Sequence, residues 1–200
     1  QALFARGIVL ELVAPAAMFA LTMLGATVAT LATEGREKAH LRAAFAQYVS
    51  KSLVERIVAN PASARLGGER REMTVLFSDI RGFSRIAESL PPEQLADFLN
   101  EYLTPMTAIV LERDGTLDKY IGDAVMAMWN APVDIGDHAA RACGAALAMQ
   151  AALGPLNQAW AARGKPQVHI GIGINTGPVS VGNMGSEARF DYTVLGDAVN

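Results

Sequence analysis

The chain is poor in several residue types, and each shortage removes a class of function. It holds a single cysteine, Cys143, in 200 residues, so neither an internal disulfide framework nor a cysteine-based zinc site is open to it. Cys143 lies in the alanine-rich stretch Arg141-Ala142-Cys143-Gly144-Ala145 and reads as a small buried helix residue rather than a reactive thiol. His40, His138 and His169 are the only histidines, and they form no metal-ligand spacing. Charged residues make up 18% of the chain, the formal net charge is −3, and no Lys/Arg-rich run occurs. No nucleic-acid partner is expected from that balance. What is plentiful is apolar: 51% of residues are hydrophobic, which supplies a substantial core and excludes global disorder. The length suits one ordinary domain with an appendage. Gln1 and Asn200 each interrupt a pattern, so the chain is expected to be a piece of a longer protein.

The longest uncharged stretch runs from Leu12 to Thr33, LVAPAAMFALTMLGATVATLAT. As a helix it would span about 33 Å, matching a hydrocarbon core of roughly 30 Å. Pro15 and Gly25 are tolerable in such a helix. Arg36, Lys38 and Arg42 follow it and only Arg6 precedes it, which places the C-terminal part in the cytoplasm, though Glu34 and Glu37 soften the asymmetry. A signal peptide and a buried core helix are the competing readings. The run is long for a signal peptide, which would also export the domain that follows. Residues 1–33 are therefore expected to hold a transmembrane helix anchored in the cell membrane.

From Glu37 to Ala59 no helix breaker occurs, and Leu41, Phe45, Val49, Leu53 and Ile57 recur at every fourth position. That stripe predicts an amphipathic helix, too short for a sustained coiled coil. It serves either as a connector with a dimer-forming role or as an ordinary helix packed on its own domain. Asn60-Pro61 ends it, and Ala62 to Arg71 reads as linker with a turn at Gly67-Gly68. Residues 34–68 thus form a helical connector, and 69–200 the main domain.

In that domain strand and helix patterns alternate. Met73 to Ser78 reads as a short apolar strand, and Pro91 to Leu111 as an amphipathic helix with a bend at Pro105. Thr116 to Ile121 and Ala124 to Trp129 read as two strands joined at Gly122-Asp123. Asp137 is placed to cap a helix reaching about Trp160. Val168 to Ile174 alternates with period two, as a strand does. Two short strands follow, around Val179 to Asn183 and Phe190 to Leu195, and Gly196 to Asn200 looks like a helix start. The order β-α-β-β-α-β is ferredoxin-like: an α+β fold with a four-stranded sheet and helices on one face.

Two carboxylates stand out in this arrangement. Asp79 closes Thr74-Val75-Leu76-Phe77-Ser78-Asp79, and Asp123 lies in Asp118-Lys119-Tyr120-Ile121-Gly122-Asp123-Ala124. The topology brings both to one end of the sheet. At about 4 Å two such charges repel by roughly 4 kcal/mol at an effective dielectric near 20, so a metal or a shared proton must offset them. Oxygen ligands without Cys or His suit Mg²⁺ or Mn²⁺ bound together with phosphates. The backbone amides of Arg81-Gly82-Phe83, at the start of the next helix, are placed to cradle those phosphates. A strand-ending Asp is also often only a helix cap.

The combination resembles the catalytic domain of the class III nucleotidyl cyclases, from Arg70 to Asn200. The matching segments are Phe77-Ser78-Asp79-Ile80-Arg81-Gly82-Phe83, Asp118 to Ala124, Gly171-Ile172-Gly173-Ile174-Asn175-Thr176-Gly177, and Phe190 to Asn200. The resemblance implies an adenylate cyclase. In it Asp79 and Asp123 hold two Mg²⁺ or Mn²⁺ ions, with the Ile80 carbonyl as a further ligand. The ribose 3′-hydroxyl is thereby activated, and the α-phosphate charge is offset during in-line attack that releases pyrophosphate. Lys119 corresponds to the family's base-selecting lysine, which favours adenine where guanylyl cyclases carry Glu. Its partner is Thr193, with Asp191 as the alternative, and Asn200 orients the ribose. An Arg is expected four residues after Asn200, so residues 1–200 alone are expected to be nearly inactive. The family also implies a homodimer with ATP as substrate, each site drawing residues from both subunits. A guanylate cyclase and an inactive cyclase-like regulatory or dimerisation module are the alternatives. Lys119 argues against the first, and retention of Asp79, Lys119, Asp123 and Asn200 together argues against the second. The hairpin motif of diguanylate cyclases is absent from the sequence.

Overall fold

The computed structural model describes residues 18–20, 22–23, 67–186 and 188–200. The chain divides into two units, Gln1–Val49 and Ser50–Asn200. In the first, residues 18–20 and 22–23 are helical, and the Thr22 hydroxyl donates back to the carbonyls of Met18 and Phe19 at 3.0 and 2.9 Å. Among the described residues no helix is long and apolar enough to cross a membrane. The expected span Leu12 to Thr33 lies mostly outside the described residues, and the expected helix Glu37 to Ala59 wholly so.

In the second unit the elements follow in the order β1 (Gly67–Ile80), α1 (Phe83–Ser89), α2 (Pro92–Glu112), β2 (Thr116–Ile121), β3 (Ala124–Trp129), α3 (His138–Ala162), β4 (Ile170–Gly185) and β5 (Phe190–Leu195). The strands form one antiparallel sheet in the order β2-β3-β1-β4-β5. Its first four strands have the expected ferredoxin-like arrangement, and β5 extends it.

Side-chain alternation along β1 sorts the core into two. Leu76 and Ile80 join Val125, Ala127 and Trp129 of β3 beneath the helices. There α2 contributes Phe98, Tyr102, Met106 and Val110, one residue per turn, all fully buried. Ala142, Ala145, Met149, Leu153 and Trp160 supply the inner side of α3, and the Phe98 and Trp160 ring centroids lie 4.5 Å apart. Met73 and Val75 point the other way, into a second cluster with Met126, Met128, Val179, Val181 and Val194.

Five expectations are corrected. β1 begins at Gly67 rather than Met73, so Gly67-Gly68 is strand and not a turn; Glu69 to Glu72 pair with Val181 to Pro178 through the backbone. Ladder hydrogen bonds need no apolar side chains, which is why periodicity did not mark this half. For the same reason β4 is one continuous strand instead of two. A Cβ on Gly182 would lie 2.0 Å from the Gly67 carbonyl oxygen, so close approach of the two backbones there requires glycine. Cys143 is exposed, because Ala142 and Ala145 take the inner face of α3 and the intervening position rotates outward. Asp137 does occupy the N-cap position of α3, but its carboxylate makes no cap bond and instead accepts from Arg141 Nε at 2.6 Å. Residues 196–199 form a turn closed by the Val199 amide on the Gly196 carbonyl at 2.9 Å.

Glu101 on α2 ties the two long helices together. Its carboxylate accepts from Trp160 Nε1 at 2.7 Å, Arg163 Nη2 at 2.7 Å and Lys165 Nζ at 2.8 Å. The bonds from Arg163, then Lys165, then Trp160 hold it down at about 2 from an ordinary 4.5. A depressed carboxylate stabilises the fold above its unfolded pKa and loses that contribution as pH falls through the folded value. The stability advantage of the wild type over Glu101→Gln is therefore expected to shrink as pH drops from about 4.5 to about 2. Denaturant midpoints of both proteins across that range check it.

Candidate functional site

The two aspartates meet where β1 ends. Pairing of Ser78 with Val125 sets the β2–β3 turn beside that end, and Gly122, with φ 66°, supplies the left-handed residue the turn requires. The Ile80 amide then donates to Asp123 Oδ2 at 2.9 Å. Asp123 is 9% exposed. Burial pushes its carboxyl pKa upward, the Ile80 amide opposes this, and the adjacent Asp79 carboxylate pushes it further up. Beneath the pair, burial lifts the Tyr102 phenol to about 12; the Ser78 hydroxyl pulls the other way, and the charges of Asp123 and Asp79 add to the rise. The Ser78 and Tyr102 hydroxyls do not reach hydrogen-bonding geometry with each other or with any other group.

Beside the pair opens a cavity of about 490 Å³ lined by Phe77, Asp79, Ile80, Arg81 and Gly82 from one side and Gly171 to Gly173 from the other. The Arg81 guanidinium lies across Gly171, where a Cβ would come within 3.1 Å of it. Gly82, with φ 70°, turns the chain into α1, whose first residue is Phe83. The expected three-amide cradle is incomplete, because the Arg81 amide is committed to the His169 carbonyl at 2.8 Å. Only the amides of Gly82 and Phe83 remain for a ligand.

A second group of polar side chains joins β2 to β5. Lys119 Nζ lies 3.3 Å from Asp118 Oδ1 and 3.5 Å from Asp191 Oδ2, and the Thr193 hydroxyl donates to Asp118 Oδ2. Since β2 and β5 are the two edges of the sheet, these contacts show that the sheet curls until its edges approach. Burial lifts the Asp118 carboxyl pKa, while the Thr193 hydroxyl and then Lys119 draw it down. The structure thus brings Lys119, Thr193 and Asp191 together. It adds Asp118, which sequence reasoning missed; the available signal was a second charge directly before Lys119 inside a strand. Asn200 follows the turn at 196–199, which Asn175 Nδ2 ties to β4 through the Ala198 carbonyl at 3.0 Å. Among the described residues no hydrogen bond or ion pair links Asn200, the acid pair and the Lys119 cluster to one another.

Residues 68–200 match the family model of the adenylate and guanylate cyclase catalytic domain. The chain belongs to that family. It is 41% identical over 159 residues to adenylate cyclase 1 of Rhizobium meliloti (strain 1021), covering 78% of this chain and 24% of the relative. To the adenylate cyclase of Anabaena cylindrica it is 39% identical over 161 residues, covering 78% and 30%. The chain therefore spans between 24% and 30% of the length of these relatives. Among solved structures, the adenylyl cyclase CyaB from P. aeruginosa is 42% identical with a TM-score of 0.65, over 67% of this chain and 70% of that one. The guanylyl cyclase Cya2 is also 42% identical, with a TM-score of 0.64 over 67% and 68%.

The acid pair of this cyclase domain fits a hard divalent cation. Its donors are all oxygen, and the Asp79 carboxylate adds to the upward push on the Asp123 carboxyl, a conflict that bound positive charge relieves. Among the described residues no group of three or more His, Cys, Asp or Glu could hold a metal ion. Two carboxylates must then be supplemented by backbone oxygen, for which the Ile80 carbonyl is the candidate, and by phosphate oxygens. Asp123→Asn keeps an acceptor for the Ile80 amide while removing one charge. Without divalent cation the variant is expected to gain about 1 kcal/mol, or about 2–4 °C in Tm. A rise in wild-type Tm with Mn²⁺ is expected to be missing from it. Thermal melts of both proteins with and without Mn²⁺ check the two outcomes.

Proposed function

We propose that this protein is an adenylate cyclase that converts ATP to 3′,5′-cyclic AMP and pyrophosphate at the interface of a homodimer. The observation that carries this reading is the junction of Lys119 with Thr193 in a cyclase domain that also keeps Asp79 and Asp123 side by side. CyaB and Cya2 are equally similar in sequence, so the fold does not choose the base and the pocket must. An ammonium is a pure donor and suits the unprotonated ring nitrogen of adenine, whereas guanine presents N–H there. A base that leaves such a group unpaired is rejected strongly.

Asp79 and Asp123, with the Ile80 carbonyl, would hold two Mg²⁺ or Mn²⁺ ions. Bound there, the ions supply charge that offsets the phosphates and acidifies the ribose 3′-hydroxyl. The Gly82 and Phe83 amides take phosphate oxygens, and Asn200 orients the ribose for in-line attack on the α-phosphorus. Among the described residues no hydrogen bond or ion pair joins the acid pair to the Lys119 cluster, which supports a site shared between two subunits. The uncharged stretch Leu12 to Thr33 and the basic residues after it support a membrane anchor with the catalytic domain in the cytoplasm. The stretch Glu37 to Ala59 would then carry a signal from the membrane to the dimer interface.

Turnover of ATP and GTP by the intact protein with Mn²⁺ tests the assignment, alongside Asp79→Ala. Cyclic AMP is the expected product, with GTP the poorer substrate. Loss of cation-held charge stabilisation, several kcal/mol in such sites, is expected to lower kcat/KM by about 10²-fold or more in the variant. Undiminished turnover by Asp79→Ala would sink the role of the acid pair, and faster turnover of GTP would make the protein a guanylate cyclase.

A further inference from the structure

Asp118 is placed unusually for a strand carboxylate. Its side chain is 0% exposed. One oxygen accepts the Thr193 hydroxyl and the other lies 3.3 Å from the Lys119 ammonium. Asp118 and Lys119 are neighbours on β2, and neighbours on a regular strand point to opposite faces. Here the ladder is irregular: Leu117 is opposite Ala127 and Lys119 is opposite Met126. Asp118 is therefore the extra residue of a β-bulge, a device that re-aims side chains. Because of it both side chains reach β5, Asp118 at Thr193 and Lys119 at Asp191.

This geometry fixes the direction of a hydrogen bond. The ammonium beside Oδ1 disfavours a proton on that oxygen, and Oδ2 already receives the Thr193 hydrogen. A hydroxyl has one hydrogen, so Thr193 can present only its oxygen lone pairs to a ligand, while Lys119 presents only N–H donors. A purine read by the two meets an acceptor beside a donor. Adenine, with an amino group next to an unprotonated ring nitrogen, complements both. Guanine, with a carbonyl next to a ring N–H, opposes both.

We infer that Asp118, brought inward by the bulge, fixes Thr193 as an acceptor and thereby sets the preference for adenine over guanine. It is a positioning residue that acts through Thr193 and does not touch the base. The inference rests on the reading of Lys119 and Thr193 as the base pocket. Its test is the dissociation constants of ATP and of GTP, measured with Mn²⁺ on the intact protein and on Asp118→Asn, Thr193→Val and the double variant. An Asn amide donates as well as accepts and no longer dictates the Thr193 hydrogen. The preference for ATP is therefore expected to fall about tenfold or more in Asp118→Asn, and similarly in Thr193→Val. In the Thr193→Val background the Asp118 change is expected to alter the preference by no more than about twofold.

Equal weakening of ATP and GTP in Asp118→Asn would show a merely structural role and overturn the inference. So would a further loss of preference in the double variant, since Asp118 would then act by another route. Should Asp118→Asn not fold, an unchanged preference in Thr193→Val is enough to overturn it. A wild type that prefers GTP, or binds neither nucleotide, removes the base-pocket reading itself. That failure is seen before any variant is compared.

Discussion

The backbone ladder between β1 and β4 runs without interruption from the Gly67–Asn183 pair to the Ile80–Ile170 pair. Everything else in the domain is hung on it. At one end it delivers Asp79 and Ile80 to the β2–β3 turn that carries Asp123. At the other end β4 continues as far as Gly185, where it pairs with β5 and carries Thr193 and Asp191 back towards β2. A shorter ladder would leave β5 without a partner strand and Lys119 without Asp191. Glycine at 182 matters for this reason, since the Gly67–Gly68 backbone approaches too closely there for a side chain.

The two polar constellations solve opposite electrostatic problems. At the acid pair, a nearly buried Asp123 held by the Ile80 amide lies beside the exposed Asp79, and the two like charges oppose each other. At the β2–β5 junction a lysine lies between two carboxylates and a threonine donates to one of them, so the like charges are bridged by a cation the chain itself supplies. In the proposed reading the first arrangement takes up cations and, with them, the triphosphate of a nucleotide, while the second presents fixed hydrogen-bond directions to its base.

The helical layer is the rigid support. One residue per turn of α2 and the small inner residues of α3 fill the space over the sheet, and Glu101 binds the two helices through three donors. Tyr102 places its phenol from this layer beneath the acid pair, so the packing of α2 and the chemistry of the site share a residue. The exposed Cys143 lies on the far side of α3 and contributes to neither.

Much of this was legible from residue order alone. The apolar periods of β3, α2 and α3 and the turn at Gly122-Asp123 mark their elements, and strand order places Asp79 near Asp123. The four motifs carry the family, which the match over residues 68–200 shows. Periodicity reports only where side chains are buried. It was therefore silent over Glu69 to Glu72 and around Pro178, where backbone pairing alone continues the strands. Tertiary structure decided the rest, because the deciding contacts are long in sequence and short in space. A bulge at Asp118, a sheet curled until its edges approach, and an Arg81 amide already committed to His169 leave no mark in composition or spacing. They arise only when strands distant in the chain are hydrogen-bonded into one twisted sheet.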